Sequence, residues 1–566
     1  MCGILGGNNS RWDYKKGIEC MHHRGPDGAR ISSFGDFTLA FTRLAIMDLS
    51  EKGMQPMFSY DNQVAVVFNG EIYGYKKLRD NLKKKGYKFR STSDTEIILN
   101  AYLEWGEKFI VKVDGMFAIA IYDRREGVVK LFRDRTGIKP LYYYYDGINF
   151  GFSSELKGIV NMCNTISFEI DNTAVYDYLN YLYIPEPKTY YKNVYKLLPG
   201  HRMIFNIKLK TIIKDSAYWR LNINSYQGSQ QKQDDLIDEL RDLIKQSVEE
   251  QLIADVPVGT FLSGGVDSSI ITYESHKINP LIETFSMGFT HASYNELKYA
   301  YELSEKYQIL MNSGIFNHDI FQRYYRKMKE WYDEPFADTS AYPTYLVSKI
   351  AKEKTTVTLT GDGGDEVFGG YPRQKAIWQK EKENAPDNLL ISQLYSKYKK
   401  NEVNYYWTDD LKFLLRSNCW KPQMNDKQLR KCFGISKDYD MYWGLRRHYI
   451  KDLPPMTRVQ YLDLKTYLPG DILTKVDRTS MAVSLETRVP FLSKRLIEFS
   501  FSLSEEDRCP KGEQKGLLKK AYEREIGRHI LYRKKMGFSI PINFYNDKKS
   551  PQEQLLESLW CENGKM

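Results

Sequence analysis

Cysteine is the second residue of this chain, followed by Gly3-Ile4-Leu5-Gly6-Gly7. Methionine before a small residue is commonly removed. Cys2 would then carry its thiol beside its own α-amine, whose ordinary pKa is roughly 7.7–8.0. One residue would supply both a nucleophile and a base near neutral pH. A second chemistry-bearing stretch lies near the middle, Phe261-Leu262-Ser263-Gly264-Gly265-Val266-Asp267-Ser268-Ser269-Ile270. Its glycines let the backbone approach an anion, and its hydroxyls and N–H groups can donate to one. No Lys-Ser/Thr follows the glycines, so this is not a Walker loop. A third stretch, Thr360-Gly361-Asp362-Gly363-Gly364-Asp365-Glu366, crowds carboxylates that repel one another unless a cation joins them. Mg²⁺ suits carboxylates combined with substrate phosphates.

Each stretch needs elements to hold it. Apolar Val256, Val258, Phe261 and Leu262 lead into the glycine-serine loop, and apolar residues return after it. That reads as strand, tight loop, helix. The acidic loop follows the strand-like run Thr356–Leu359, and Thr284–Phe289 is another run of that type. Near the N-terminus, Val64–Phe68 reads as a strand that ends before Asn69-Gly70-Glu71-Ile72-Tyr73, and Ser93-Asp94-Thr95-Glu96 opens a helix with a capping sequence. Leu197-Leu198-Pro199-Gly200-His201 punctuates the end of the first half. Ser225 to Asp235 is polar and reads as a linker, and Leu236, Leu240, Leu243, Ile244 and Val248 then recur at helical spacing. The expected division is a first domain at 1–210, a linker at 211–235, a second domain at 236–550 and a tail at 551–566.

A chain of 566 residues should hold at least two domains. The net charge of +10, from 82 basic and 72 acidic side chains, is mild over that length, so neither a nucleic-acid nor a membrane surface is expected. No run approaches about 18 uninterrupted apolar residues, and no secretory signal is evident. The seven cysteines are scattered without a CxxC pair, which argues against a disulfide framework or structural zinc and fits a reducing cytoplasm.

From Cys2 to about Glu155 a series of motifs runs in order. These are Cys2-Gly3-Ile4, Arg24-Gly25-Pro26-Asp27, Arg43-Leu44-Ala45-Ile46-Met47-Asp48, Asn69-Gly70-Glu71-Ile72-Tyr73, Ser93-Asp94-Thr95-Glu96, Asp114-Gly115-Met116-Phe117-Ala118, and Arg133 to Tyr142. Taken singly, Arg43 suits a surface ion pair, Asn69-Gly70 a hairpin turn, and Asp94 a helix cap. As an ordered set they resemble the class II glutamine amidotransferases, the N-terminal-nucleophile glutaminases. The resemblance implies an α+β sandwich of antiparallel sheets flanked by helices. It implies that Cys2 attacks the glutamine side-chain amide, giving a thioester and ammonia. Arg43 would hold the substrate carboxylate, Asp94 its ammonium, and Asn69 with the Gly70 N–H would form the oxyanion hole. Leu44, Ala45, Ile46, Met47 and Glu71 would line the same pocket.

The second half resembles the ATP pyrophosphatases, α/β Rossmann-like domains with a parallel sheet. Leu262, Ser263, Gly264, Gly265, Asp267, Ser268, Met287, Thr360 and Gly361 match nucleotide-contacting positions, and Asp267 and Asp365 match metal-binding ones. Lys535, in Arg533-Lys534-Lys535-Met536-Gly537-Phe538, matches a lysine that stabilises charge on the reacting phosphate. The order of motifs over roughly residues 2–545 resembles the glutamine-hydrolysing asparagine synthetases. ATP and Mg²⁺ are the cofactors this implies, and glutamine, aspartate and ATP the small-molecule partners. A homodimer is compatible with it. An internal ammonia tunnel is also expected, because ammonia in water near pH 7 is mostly protonated and unreactive. Two positions depart from the family pattern. Asp362, expected to act in catalysis, stands where Glu is usual, and Ala45 where Ser is usual. The shorter acid leaves a second acceptor open, a sugar uronic acid or a cell-wall peptide carboxylate.

Overall fold

The computed structural model describes residues 1–223, 232–291, 295–324, 327–382, 426–534 and 537–538. The first lobe is built on two six-stranded sheets. The first has the spatial order Val194–Lys196, Tyr142–Tyr145, Phe150–Ser153, Gly3–Gly7, Thr38–Arg43, Gly28–Ser33. The second runs Thr211–Ala217, His201–Asn206, Val128–Arg133, Asp114–Asp123, Val64–Tyr73, Met57–Phe58. Every strand pair in both is antiparallel. Ile4, Leu39 and Phe41 of the first sheet interdigitate with Val67, Ala118, Ala120 and Leu131 of the second. The outer face of the second is covered by the helix Asp94–Trp105, which buries Ile97, Ile98, Ala101 and Tyr102. The outer face of the first is covered by the short helices Tyr14–Glu19 and Leu156–Met162. Both sheets thus have two covered faces, which is why Thr38–Arg43 and Val128–Arg133 are buried at every position instead of alternating.

The strand beginning at Val64 does not stop at Phe68. It continues through Asn69 to Tyr73, with Gly70 opposite Phe117 and Ile72 opposite Gly115. Gly70 has φ +147°, and a Cβ there would sit 1.9 Å from the Met116 carbonyl oxygen. Glycine alone permits the ladder to run on, and the strand delivers Asn69 to the mouth of the sheet. The stretch expected as a linker likewise begins with structure, because Thr211–Ala217 is the edge strand of the second sheet. The helix beyond it starts at Gln233, buries Leu236, Leu240, Ile244 and Val248, and carries Asp234 and Asp235 in its first turn, charges that suit the helix dipole.

The second lobe centres on a five-stranded sheet in the order Met311–Phe316, Glu283–Phe289, Val258–Phe261, Val357–Leu359, Glu486–Arg488, parallel throughout. Val258–Phe261 and Val357–Leu359 are neighbours in register, Thr260 facing Leu359. The glycine-serine loop and the acidic loop therefore leave the carboxyl ends of adjacent strands, where parallel α/β sheets place their ligands. A Cβ on Gly361 would fall 2.7 Å from the Ser268 backbone nitrogen and 2.8 Å from Asp267 Cβ. Only a residue without one lets the two loops touch. Among the described residues no helix is long and apolar enough to cross a membrane, and Cys2, Cys20, Cys163, Cys432 and Cys509 are free thiols.

Candidate functional site

Two sites emerge, one in each lobe. In the first, Cys2 sits at the start of the strand Gly3–Gly7, beside the extended strand that carries Asn69. The Cys2 backbone N–H donates to Asn69 Oδ1 at 3.0 Å, and its thiol lies 3.8 Å from the Leu44 carbonyl oxygen. Asn69 is wholly buried, and its Nδ2 has no hydrogen-bond partner among the described residues. A buried amide donor left unpaired next to a thiol costs on the order of 1–3 kcal/mol. It is the geometry expected of a group waiting for an oxyanion. Burial pushes the Cys2 thiol up to about 11, against the pull of the neighbouring terminal ammonium.

That ammonium belongs to Met1. It pairs with Glu486 Oε2 at 2.9 Å with both side chains fully enclosed, and the Met1 side chain packs on Leu44, Ile46, Met47, Val357 and Met481. Arg43 is buried and its fork is held by backbone carbonyls, Ser50 at 2.7 Å and Asp48. The Ala45 N–H donates to Asp27 Oδ2 at 2.8 Å, and the Ile46 carbonyl accepts from Asp255 N–H at 3.0 Å. Asp94 accepts from the Ile72 N–H at 3.0 Å, and burial pushes its carboxyl up to about 6. Glu71 is raised chiefly by burial and next by Glu486, while Arg488 stands 3.4 Å from its Oε1.

In the second lobe the loop is pre-formed. Ser263 N–H donates to Ser268 Oγ at 3.1 Å, the two hydroxyls are 2.9 Å apart, and Gly265 N–H reaches Ser263 Oγ at 3.3 Å. The Gly264 carbonyl accepts from Arg533 at 2.9 Å. Asp267 and Asp365 converge on one cation, the Lys515 ammonium, which contacts Asp267 Oδ2 and lies 2.6 Å from Asp365 Oδ1. These carboxylates hold Lys515 well above the ordinary lysine range although burial opposes it. Two carboxylates within reach of one small cation fit Mg²⁺, whose other ligands would be phosphate oxygens and water. Among the described residues no cluster of three or more acidic, His or Cys side chains forms a protein-only metal cage. Thr360 Oγ1 donates to Asp362 Oδ2 at 2.7 Å. Lys475 stands 3.6 Å from Asp338; burial lowers its pKa, but Asp338, Asp362 and Asp471 outweigh that and hold it up. Glu366, bonded to Tyr371 Oη at 2.7 Å, is pushed up to about 7 by burial and then by Asp365. Leu262 and Met287 are both buried, but in separate apolar clusters. Lys535 lies outside the described residues.

Three groups that the sequence left without a role join the lobes. Arg24 Nη1 donates to Glu155 Oε1 at 2.7 Å and Asp477 Oδ2 at 2.8 Å, Nη2 donates to Asp477 Oδ1 at 3.0 Å, and Nε reaches the Cys2 carbonyl at 3.3 Å. Arg478 Nη1 lies 2.9 Å from Glu155 and 3.2 Å from Asp333. Arg488 donates to the Gln251 and Ile253 carbonyls, both at 2.7 Å, and pairs with Glu486 at 2.7 Å. The only signal was that Arg24-Gly25-Pro26-Asp27, Lys475-Val476-Asp477-Arg478, Glu486-Thr487-Arg488 and Lys515-Gly516 are short charged motifs. Apart from Cys2, near Arg24, and Glu486, beside Arg488, their partners lie more than a hundred residues away.

Comparison with known proteins follows the same division. Residues 1–219 match the family model described as "Glutamine amidotransferase domain", and residues 239–563 the model described as "Asparagine synthase". The chain is 35% identical to "Asparagine synthetase [glutamine-hydrolyzing] 1" of Bacillus subtilis, over 96% of this chain and 88% of that protein. It is 38% identical to "Putative asparagine synthetase [glutamine-hydrolyzing] 2" of Methanocaldococcus jannaschii, over 66% of this chain and 76% of that protein. With a glutaminase-type lobe and a phosphate-loop lobe in one chain, and matches of this length, the chain belongs to the asparagine synthase family.

Proposed function

We propose that this enzyme makes asparagine from aspartate, glutamine and ATP, releasing glutamate, AMP and pyrophosphate. The observation that carries this is the pairing of Asp267 and Asp365 on one cation above the glycine-serine loop, in a chain whose other lobe sets Cys2 beside the unpaired Asn69 donor. In the first lobe, with Met1 removed, the Cys2 thiol attacks the glutamine amide carbon. The oxygen gains charge toward Asn69 Nδ2 and the Gly70 N–H, ammonia leaves, and water hydrolyses the thioester to glutamate. Arg43 and Asp94 orient the substrate's carboxylate and ammonium, with Leu44, Ala45, Ile46, Met47 and Glu71 around them.

In the second lobe the loop Ser263–Ser268, with Thr360 and Gly361, cradles ATP; Leu262 and Met287 flank the base. The aspartate side-chain carboxylate attacks the α-phosphorus and the bond to the β-phosphate oxygen breaks, giving β-aspartyl-AMP and pyrophosphate. Asp267 and Asp365 would hold Mg²⁺, which when bound offsets phosphate charge. Lys535 is assigned to the same charge, and Asp362 to positioning the acyl group. Ammonia then displaces AMP. The apolar cluster of Leu44, Ile46, Met47, Val357 and Met481 offers uncharged ammonia a route between lobes. The test is ATP–pyrophosphate exchange with aspartate as sole acceptor. Aspartate-dependent exchange is expected; an active glutaminase that exchanges only with a different carboxylate would overturn the assignment.

A further inference from the structure

A cavity of about 70 Å³ opens between the lobes, away from both sites. Glu186 and His201 line it from the first lobe, Arg447, His448, Lys465 and Thr466 from the second. Its charge is one-sided. Among the described residues Glu186 is the sole acid on the wall, and its carboxylate is already taken by Arg133 Nη1 at 2.8 Å. Among the described residues the Arg447 side chain donates to the Glu186 backbone carbonyl alone, at 3.2 Å. His201 is tied through Nδ1 to Asp215 at 2.9 Å. Among the described residues neither Lys465 nor the His448 ring has a hydrogen bond or an ion pair. The Lys465 ammonium has only the face of Trp219, 5.5 Å from the ring centroid.

Lys465 and His448 are half-buried and Arg447 is exposed; a cation partly withdrawn from water is ordinarily paired, because desolvating its charge is costly. Burial, then Arg220 and Arg447, push Lys465 down to about 8. Burial, then Arg447, Lys465 and His201, push His448 down to about 3. Two cations of the second lobe, Lys465 and Arg447, and the neutral His448 ring face a cavity between the lobes, which is the chemistry of an anion receptor.

We propose that this cavity is a binding site for a phosphate dianion, held by Lys465, Arg447 and His448 of the second lobe against the Glu186–His201 face of the first. A single water needs roughly 10–15 Å³ of such space, so the cavity has room for one tetrahedral oxyanion. Inorganic phosphate and the phosphate end of a phosphorylated metabolite share this chemistry. The site also has a lever. Thr466 lies just before the π-helical turn Leu468–Ile472, and Tyr183 on the cavity wall packs so closely on Gly470 that a Cβ there would meet its ring at 2.3 Å. That turn runs directly into the helix Leu473–Met481, which carries Lys475 toward Asp338 and Asp477 toward Arg24. An anion here would brace the element that spans both sites.

The test uses the full chain with its nucleotide loop filled by a non-hydrolysable ATP analogue, so that the loop cannot take the probe. Equilibrium dialysis with radiolabelled inorganic phosphate, at fixed ionic strength in chloride, is expected to give one site per chain. K465M should weaken it at least tenfold and K465R should retain it. Competition by glucose 6-phosphate against the labelled probe separates the two sources: displacement points to a phosphomonoester, and failure to displace points to free phosphate. Should K465M not fold, H448L carries the same expectation. Absence of a phosphate site in the wild type, or equal binding by wild type and the folded variants, overturns the proposal.

Discussion

Arg24 grips Asp477 across the boundary between the lobes, with its two terminal nitrogens at 2.8 and 3.0 Å from the two carboxylate oxygens. The same guanidinium touches the carbonyl of Cys2. A residue of the glutaminase lobe thus fixes the nucleophile on one side and the synthetase helix Leu473–Met481 on the other. Planar, two-point pairing is what an arginine does and a lysine cannot.

Arg24→Lys should therefore be a coupling variant. Loss of one partner of a buried pair costs about 3–5 kcal/mol, and lysine recovers part of the charge but not the fork. Glutamine-dependent synthesis should fall at least tenfold while ammonia-dependent synthesis changes little. A double-mutant cycle with Asp477→Asn measures whether the two losses share one interaction. Independent, additive losses would remove the coupling role.

The two halves should come apart by mutation. Cys2→Ala should abolish glutamine-dependent synthesis and leave the ammonia-dependent reaction. Asp267→Asn should suppress Mg²⁺-dependent adenylation and leave glutamine hydrolysis near its wild-type rate. Both are read by coupling product formation to glutamate release, and equal loss of both activities in either variant contradicts the division.

The unpaired Asn69 donor makes a sharper test. Asn69→Asp keeps an oxygen for the Cys2 N–H but removes the donor. Glutaminase kcat should drop about 10²–10³-fold, the usual worth of one oxyanion-hole donor, with a much smaller change in KM. A change confined to KM would assign Asn69 to substrate binding instead.

Acid should weaken glutamine binding through Asp94. Burial raises this carboxyl to about 6, so as pH falls through that value the group gains a proton and loses the charge that would hold the substrate ammonium. The KM for glutamine should rise on the acid side with an apparent pKa near 6, and the ammonia-dependent reaction should not share that limb. Asp94→Asn should erase the limb while keeping the high KM at every pH.

Lys515 holds together two carboxylates that would otherwise repel. In Lys515→Met a divalent cation must do that work alone. Adding Mg²⁺ without ATP should raise the melting temperature of the variant more than that of the wild type, by on the order of 2–4 °C. Equal shifts would mean that the aspartates do not share the ion.

The local parts of both sites were legible in sequence because their groups come from single short stretches. Ser263 to Ser268 makes its own hydrogen bonds, and Ser93 caps the helix of Asp94 within two residues, Thr95 N–H to Ser93 Oγ at 3.2 Å. The parallel and antiparallel sheets followed from the same motifs. What sequence did not yield is whatever depends on pairing across the chain. Arg24 lies 453 positions from Asp477 and Lys515 248 positions from Asp267, so neither spacing carries a local pattern. The strand through Gly70 escaped for a different reason. Asn-Gly reads as a turn because turns favour it, and here a glycine opposite another strand's carbonyl keeps the ladder straight.

The burial of Met1 sets a timetable for the birth of the enzyme. Its ammonium is sealed against Glu486, a residue made near the end of synthesis. With that strand in place the methionine is enclosed, so the cut that frees Cys2 belongs to the time before Glu486 has been made. At about 5–20 residues per second, that leaves roughly 25–100 s. A chain that misses this interval would mature into a synthetase fed only by free ammonia.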